Sequence, residues 1–222
     1  MGQTPSMHLL VLAKRPLPGR AKTRLIPRFG PEGSAALAAA ALADTFDAVR
    51  GCRADRVVVS FDGDPTGMVP SDFQVFPQRP GDLADRLTGA WEDAGGPGLQ
   101  IGMDTPQVSA ADLDDALDAL DAPGTDAVLG LATDGGWWSI GFQTPHPDAF
   151  LGIPTSQSDT GERQRDRLRV LGLTTADLAT KDDVDLPDDV ARVAALAPHG
   201  RFAAVAAELL SSGSTVGGEH LS

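Results

Sequence analysis

The chain has 222 residues, is 41% hydrophobic and carries a formal net charge of −13, from 18 Lys and Arg against 31 Asp and Glu. That length and apolar content suffice for a substantial buried core, and the acidic balance argues against the broad basic surface that a nucleic-acid backbone needs. A single cysteine, Cys52, excludes an internal disulfide framework, and no apolar run approaches the ~20 residues that span a bilayer. The expectation is a cytoplasmic protein with neither a nucleic-acid nor a membrane partner. Residues 1–210 are expected to form one domain, and the Gly- and Ser-rich residues 211–222 a disordered tail.

His8 to Ala13 is a short apolar run without helical period, which predicts a buried parallel strand. It leads into Ala13-Lys-Arg-Pro-Leu-Pro-Gly-Arg-Ala-Lys-Thr-Arg-Leu25, which holds two of the three lysines of the chain, Lys14 and Lys22. Arg15, Arg20, Arg24 and Arg28 add to them, and no acidic residue precedes Glu32. Pro16 and Pro18 restrict this loop while Gly19 permits a left-handed turn, so its shape is defined and its amides and cations can be aimed. An acidic protein that collects its cations after its first strand is best explained by a phosphorylated small ligand.

The pattern then alternates. A helix is predicted over 31–50, a strand over 56–61 and a turn at Asp62-Gly-Asp-Pro65. Asp62 and Asp64 have the Asp-x-Asp form by which sugar transferases hold manganese, but Gly63 and Pro65 make the segment an equally good turn. A strand over 73–76, a helix over 83–94 and a strand over 99–102 come next, followed by a helix over 110–120 that Ser109 could cap. After a strand over 127–132, the turn Asp134-Gly-Gly136 introduces a strand over 137–142 that could run antiparallel. Helices are predicted over 159–171, 187–196 and 201–210. This is an α/β chain with a mostly parallel sheet, one antiparallel strand and helices on both faces.

In such a sheet the strand C-termini share one edge, and ligands bind outside it. The basic loop leaves the first strand there, and Asp104 leaves the fourth. Together they suggest Mg2+, which is commonly held by one or two carboxylates plus substrate phosphates. A turn or a helix cap would explain Asp104 alone equally well. Asp183 and Asp185, in Asp182-Asp-Val-Asp185, fall on the same side of an extended segment and could share an ion. A solvated helix start, with Asp188 and Asp189 at the positive dipole end, is the equal alternative. His8, His146, His199 and His220 lack metal-site spacing, and Arg163, Arg165, Arg167 and Arg169 fall on different sides of their helix.

Five segments in order, Leu12 to Leu25, Gln78 to Leu87, Gly102 to Pro106, Asp134 to Gly141 and Asp183 to Asp189, resemble the DUF2064 family, over roughly residues 8–195. The resemblance implies a Rossmann-like GT-A fold of the nucleotide-diphospho-sugar transferase superfamily, related to phospholactate and molybdenum-cofactor guanylyltransferases. By that likeness Lys14, Arg15, Lys22 and Arg24 would surround nucleotide phosphates, with Lys22 and Arg15 stabilising the leaving group, and Asp82 and Leu83 would lie near base or ribose. Asp104 would hold Mg2+ (or Mn2+), and Asp183 with Asp185 would complete the metal site or touch the acceptor. Ala84 stands where the family often has glycine, and Trp137 and Trp138 replace a usual tyrosine pair, which bears on nucleotide or acceptor choice. Because strand neighbours face opposite sides, at most one of the two tryptophans is expected to reach the pocket.

The function these readings imply is transfer of a nucleoside monophosphate from a triphosphate to a small phosphorylated or hydroxyl acceptor. The alternatives are glycosyl transfer from a nucleotide sugar, and nucleotide binding without catalysis. Neither base preference, acceptor identity nor oligomeric state is legible.

Overall fold

The computed structural model describes residues 6–154 and 157–213. Its centre is a seven-stranded sheet formed by β1 (His8–Lys14), β2 (Arg56–Asp62), β3 (Gln74–Pro77), β4 (Gly98–Ile101), β5 (Ala127–Ala132), β6 (Trp137–Phe142) and β7 (Thr175–Lys181), in the order β3-β2-β1-β4-β6-β5-β7. β1 pairs in parallel with β2 and β4, β2 with β3, and β5 with β7. β6 runs antiparallel to both β4 and β5. All strands but β6 therefore share a direction, and their C-terminal ends lie on one edge.

The helices are α1 (Ile26–Gly51), α2 (Leu83–Ala94), α3 (Ala110–Asp121), α4 (Thr160–Val170), α5 (Pro187–Leu196) and α6 (Arg201–Gly213). Leu42, Phe46, Leu113 and Leu117 of α1 and α3 bury one face of the sheet against Leu9, Val11, Leu99 and Ile101. Leu87, Trp91 and Leu168 of α2 and α4 cover the other, against Leu10, Leu129 and Ile140. α5 and α6 pack on the far side of α1 through Val190, Val193 and Phe202. Asp44 of α1 fixes α6 by accepting from the backbone N–H groups of Arg201 at 2.9 Å and Phe202 at 2.8 Å. Among the described residues no helix is long and apolar enough to cross a membrane.

Local chemistry sets the boundaries. Asp82 caps α2 and Ser109 caps α3, each in a capping box with an aspartate three residues on, Asp85 and Asp112. α1 starts at Ile26, before the predicted 31–50, and bends at Gly30 (φ +69°), where Pro31 begins the second part. α6 extends three residues past its predicted end, so Ser211, Ser212 and Gly213 are helical and not part of a disordered tail. The Ser211 and Ser212 hydroxyls donate to the Glu208 carbonyl, which prolongs the last turn. Residues 214–222 of the predicted tail lie outside the described residues.

β7 was not predicted, because Thr-Ala-Asp-Leu-Ala-Thr-Lys has no apolar run and no fully buried residue. It is a polar edge strand, held in register by β5. It delivers Asp182 to Asp185 to the edge where β1 and β4 end.

Candidate active site

The loop after β1 and the chain after β4 converge directly. Lys22 Nζ lies 2.7 Å from Asp104 Oδ1 and also donates to the carbonyl of Val184, so three sequence-distant segments meet on one ammonium. Lys22 adopts φ +47°, ψ +50°, the one positive φ among described non-glycine residues. That conformation costs about 1–2 kcal/mol for an L-residue. Its surroundings hold it there: the Leu25 N–H donates to the Lys22 carbonyl at 2.9 Å, closing the short 3-10 turn Thr23–Leu25. Burial would lower the Lys22 pKa, but Asp104, Asp183 and Asp185 outweigh it and raise the pKa above its ordinary value.

Asp183 stands beside this pair with its Oδ1 buried and, among the described residues, without a hydrogen-bond partner. Its pKa is pushed up to about 7, first by burial, opposed by the Lys22 ammonium and reinforced by Asp104, Asp134 and Asp185. A buried carboxylate oxygen with no donor is costly, and a cation is the natural partner for it. Among the described residues no three metal-type side chains are gathered closely enough to hold an ion alone. Asp104 and Asp183 could hold a divalent ion only together with further oxygen ligands such as those of a phosphate. Asp185 is paired with Arg24.

These groups border two adjoining cavities. The smaller, about 190 Å³, is the cationic one, lined by Lys14, Arg20, Lys22 and Arg24. The larger, about 720 Å³, runs between the N-terminal ends of α2 and α4 over the sheet. Arg24, Met103, Asp104 and Asp185 belong to both walls. The larger volume lies within the ~300–1,000 Å³ typical of small-ligand sites.

The predicted residues divide accordingly. Lys14, Lys22, Arg24, Asp104, Asp183 and Asp185 come together. Leu83 lines the large cavity, whereas Asp82 is the cap of α2 and is absent from that lining. Arg15 turns elsewhere: its guanidinium donates to the carbonyls of Asp64 at 2.6 Å and Thr66 at 3.3 Å, and it lines neither cavity. The Asp62–Asp64 turn thus faces Arg15, and Asp64 further accepts from the Thr66 N–H at 3.0 Å. Both tryptophans border the large cavity, Trp137 half-buried and Trp138 as a buried core residue. The two still pack on opposite faces of the sheet, Trp137 against the cluster under α2 and α4 and Trp138 in the cluster under α1 and α3. Trp137 stacks on Phe150 at 6.4 Å, while buried Trp138 donates its indole N–H to the Ala179 carbonyl at 3.0 Å.

The sequence reading missed Asp134, Gln100 and Gln164, all of which line the large cavity. Asp134 was hidden in a turn, where its Oδ1 accepts from the Gly136 N–H at 2.8 Å. Gln100 carried a signal: it is the one polar side chain of the strand Gly-Leu-Gln-Ile. The Asp134-Gly-Gly136 turn is locked to the start of α4, since the Gly161 N–H donates to the Gly135 carbonyl at 2.8 Å.

The fold is that of the nucleotide-diphospho-sugar transferases and nucleotidyltransferases. A structure described as a candidate nucleotide-diphospho-sugar transferase from Desulfovibrio desulfuricans G20 is similar at TM-score 0.75 and 23% identity, over 93% of this chain and 99% of that one. A CMP:2-keto-3-deoxy-manno-octonic acid synthetase complexed with CTP is similar at TM-score 0.56 and 13% identity, over 87% and 99%. Rv0371c of Mycobacterium tuberculosis H37Rv, in complex with manganese, is similar at TM-score 0.54 and 21% identity, over 85% and 97%. The chain belongs to the family described as uncharacterized protein conserved in bacteria, DUF2064, whose profile matches residues 35–157. No curated protein matches the sequence.

Proposed function

We propose that the protein is a divalent-metal-dependent nucleotidyltransferase, moving a nucleoside monophosphate from a triphosphate to a small acceptor with release of pyrophosphate. The observation that carries this reading is the meeting of Lys22 and Asp104 at 2.7 Å beside the unpartnered oxygen of Asp183. Asp104 and Asp183 would hold the ion, which when bound supplies positive charge to the phosphate oxygens. The CTP and manganese complexes of proteins with this fold support a nucleotide and a divalent ion as ligands.

In the structure the cations are neutralised in place, Lys22 by Asp104 and Arg24 by Asp185. A triphosphate must therefore draw Lys22 and Arg24 from their carboxylates, and those carboxylates then need a counter-ion. Nucleotide and metal are expected to bind together more tightly than either alone. In the transfer step the acceptor oxygen bonds to the α-phosphorus as the bond to the β-phosphate oxygen breaks, and the proton of a hydroxyl acceptor passes to water. Lys22 and Arg24 stabilise the charge that builds on the departing pyrophosphate, a contribution of about 3–4 kcal/mol per well-placed donor. Lys14, an exposed cation on the wall of the cationic cavity, draws the triphosphate in.

Glycosyl transfer from a nucleotide sugar is the second reading, favoured by the likeness to the Desulfovibrio protein, a candidate nucleotide-diphospho-sugar transferase. Against it, Met103-Asp104-Thr105 offers one carboxylate, and the Asp62-Gly-Asp64 turn is engaged by Arg15. A panel of triphosphates and nucleotide sugars with Mg2+ or Mn2+ separates the readings. Pyrophosphate release is expected. Nucleoside diphosphate release would favour glycosyl transfer, and tight nucleotide binding without turnover would leave a binding protein.

A further inference from the structure

The large cavity has a neutral end as carefully arranged as its ionic one. Gln100 and Gln164 are each 1% exposed, yet both line it. Gln100 accepts at its Oε1 from the Trp91 indole N–H at 2.7 Å. An indole nitrogen can only donate, so the amide cannot be turned over, and the Gln100 NH2 group is its remaining face. Gln164 donates from its Nε2 to the Ala149 carbonyl at 2.8 Å. A carbonyl can only accept, so the Gln164 Oε1 is the group left over. One fixed donor and one fixed acceptor are thus built into the wall by partners that permit no other orientation.

Around them stand an aromatic platform and small neutral groups. Trp137 stacks on Phe150 with 28° between the ring planes, and Ser158 and Thr160 lie at the start of α4. Arg24, the one cation of this lining among the described residues, sits at the ionic end and is paired with Asp185. The charged groups otherwise lining the cavity are Asp104, Asp134, Asp183 and Asp185. Asp104 and Asp185 are paired with Lys22 and Arg24, and Asp183 is the proposed metal ligand, so Asp134 and the glutamine oxygen are what a phosphate or carboxylate seated on Trp137 would meet without a balancing cation. A ring with an apolar face and several hydroxyls matches every feature: the face for Trp137, hydroxyl acceptors for the Gln100 NH2, hydroxyl donors for the Gln164 oxygen.

We propose that the α4 side of the cleft, formed by Trp137, Phe150, Gln164 and Gln100, is the acceptor subsite and takes an uncharged carbohydrate-class compound rather than a phosphorylated one. This rests on the transferase reading and narrows it. The test is ligand binding by saturation-transfer NMR and calorimetry on the full chain. The probes are methyl glucopyranoside, N-acetylglucosamine and myo-inositol, set against glucose 1-phosphate and glucose 6-phosphate. Neutral probes are expected to bind at least ~10-fold more tightly than phosphorylated ones, since this side of the cleft offers a phosphate Asp134 and a glutamine oxygen but no cation. Trp137→Ala is expected to weaken neutral-probe binding by roughly 10-fold, and Trp137→Phe, which keeps a stacking ring, to restore most of it. Phosphorylated probes binding as well as neutral ones, no binding by any neutral probe, or indifference to Trp137→Ala would each overturn the proposal. Triphosphate binding with Mg2+, followed separately by thermal shift, reports on the nucleotide reading, so the two ideas fail on different ligands.

Discussion

The two ends of the cleft use opposite electrostatics. At the ionic end, Lys22, Arg24, Asp104, Asp183 and Asp185 hold charge against charge, and Asp183 keeps a buried oxygen without a donor. At the other end, Gln100 and Gln164 are equally buried but uncharged, and each has a protein partner that fixes its orientation. A charged cluster whose members satisfy one another only in part can exchange partners with a charged ligand. A neutral pair held by one-way hydrogen bonds keeps its orientation and can read shape and hydroxyl pattern. The contrast suggests that the ionic end is rearranged by its ligand and the neutral end is preorganised for its own.

The largest expected effect falls on the ionic end. Lys22→Met keeps length and removes charge, and pyrophosphate release with Mg2+ and a triphosphate should fall by about 10²–10³-fold. Circular dichroism should show the fold retained. A variant with wild-type turnover would remove Lys22 from the chemistry.

Next is the pH dependence of stability, where Asp183 and His8 differ in sign. Asp183 is raised from 3.8 to about 7, so the native state binds a proton that the unfolded chain releases, and stability from this group falls as pH rises through that window. His8 is buried and its pKa is lowered from 6.5 to about 4, mainly by burial and then by Arg56, against a smaller opposing hydrogen bond to the Pro97 backbone. Its contribution is present above 6.5 and lost as pH falls towards 4. In metal-free protein, Asp183→Asn should differ little from wild type below pH 4 and be the more stable of the two above pH 7 in urea unfolding. A pH-independent difference would contradict the environment assigned to Asp183.

The neutral end should break through its backbone. Gly135 has φ +91°, and a Cβ there would lie 1.9 Å from the Ser158 carbonyl oxygen. Gly135→Ala should cost about 2–3 kcal/mol, because both strain and the clash act on the contact that seats α4. Gly102, where a Cβ meets nothing within 4 Å and φ is not positive, is the control. The smallest effect is expected at Arg15, which serves the β2–β3 turn: Arg15→Ala should lower stability by about 0.5–1 kcal/mol, with triphosphate affinity changed less than ~2-fold. A tenfold loss of affinity would return Arg15 to the phosphate site.

Much of the sheet was legible because buried strands such as Leu9-Leu-Val11 and Val57-Val-Val59 announce themselves by composition, and Ser109 and Pro187 mark helix starts. β7 was not, since an edge strand with polar side chains lacks that signature. Its absence from the reading had a consequence at the site: Asp183 and Asp185 remained undecided between solvent and an ion, and only pairing with β5 carries them to Lys22. Arg15 shows the opposite limit. A cation one position from Lys14 turns to the Asp64 carbonyl, because loop geometry, not composition, chooses its partner. Gln164 could not be singled out among the arginines of α4, whose charges dominate that segment.

The most direct test of the central claim is crystallography of the protein with Mn2+ and a non-hydrolysable triphosphate, using the anomalous signal to locate the metal. The account predicts Mn2+ bound directly to carboxylate oxygens of Asp104 and Asp183, with Lys22 moved onto the phosphates. Metal at the Asp62–Asp64 turn, or phosphates bound away from Lys22, would contradict it.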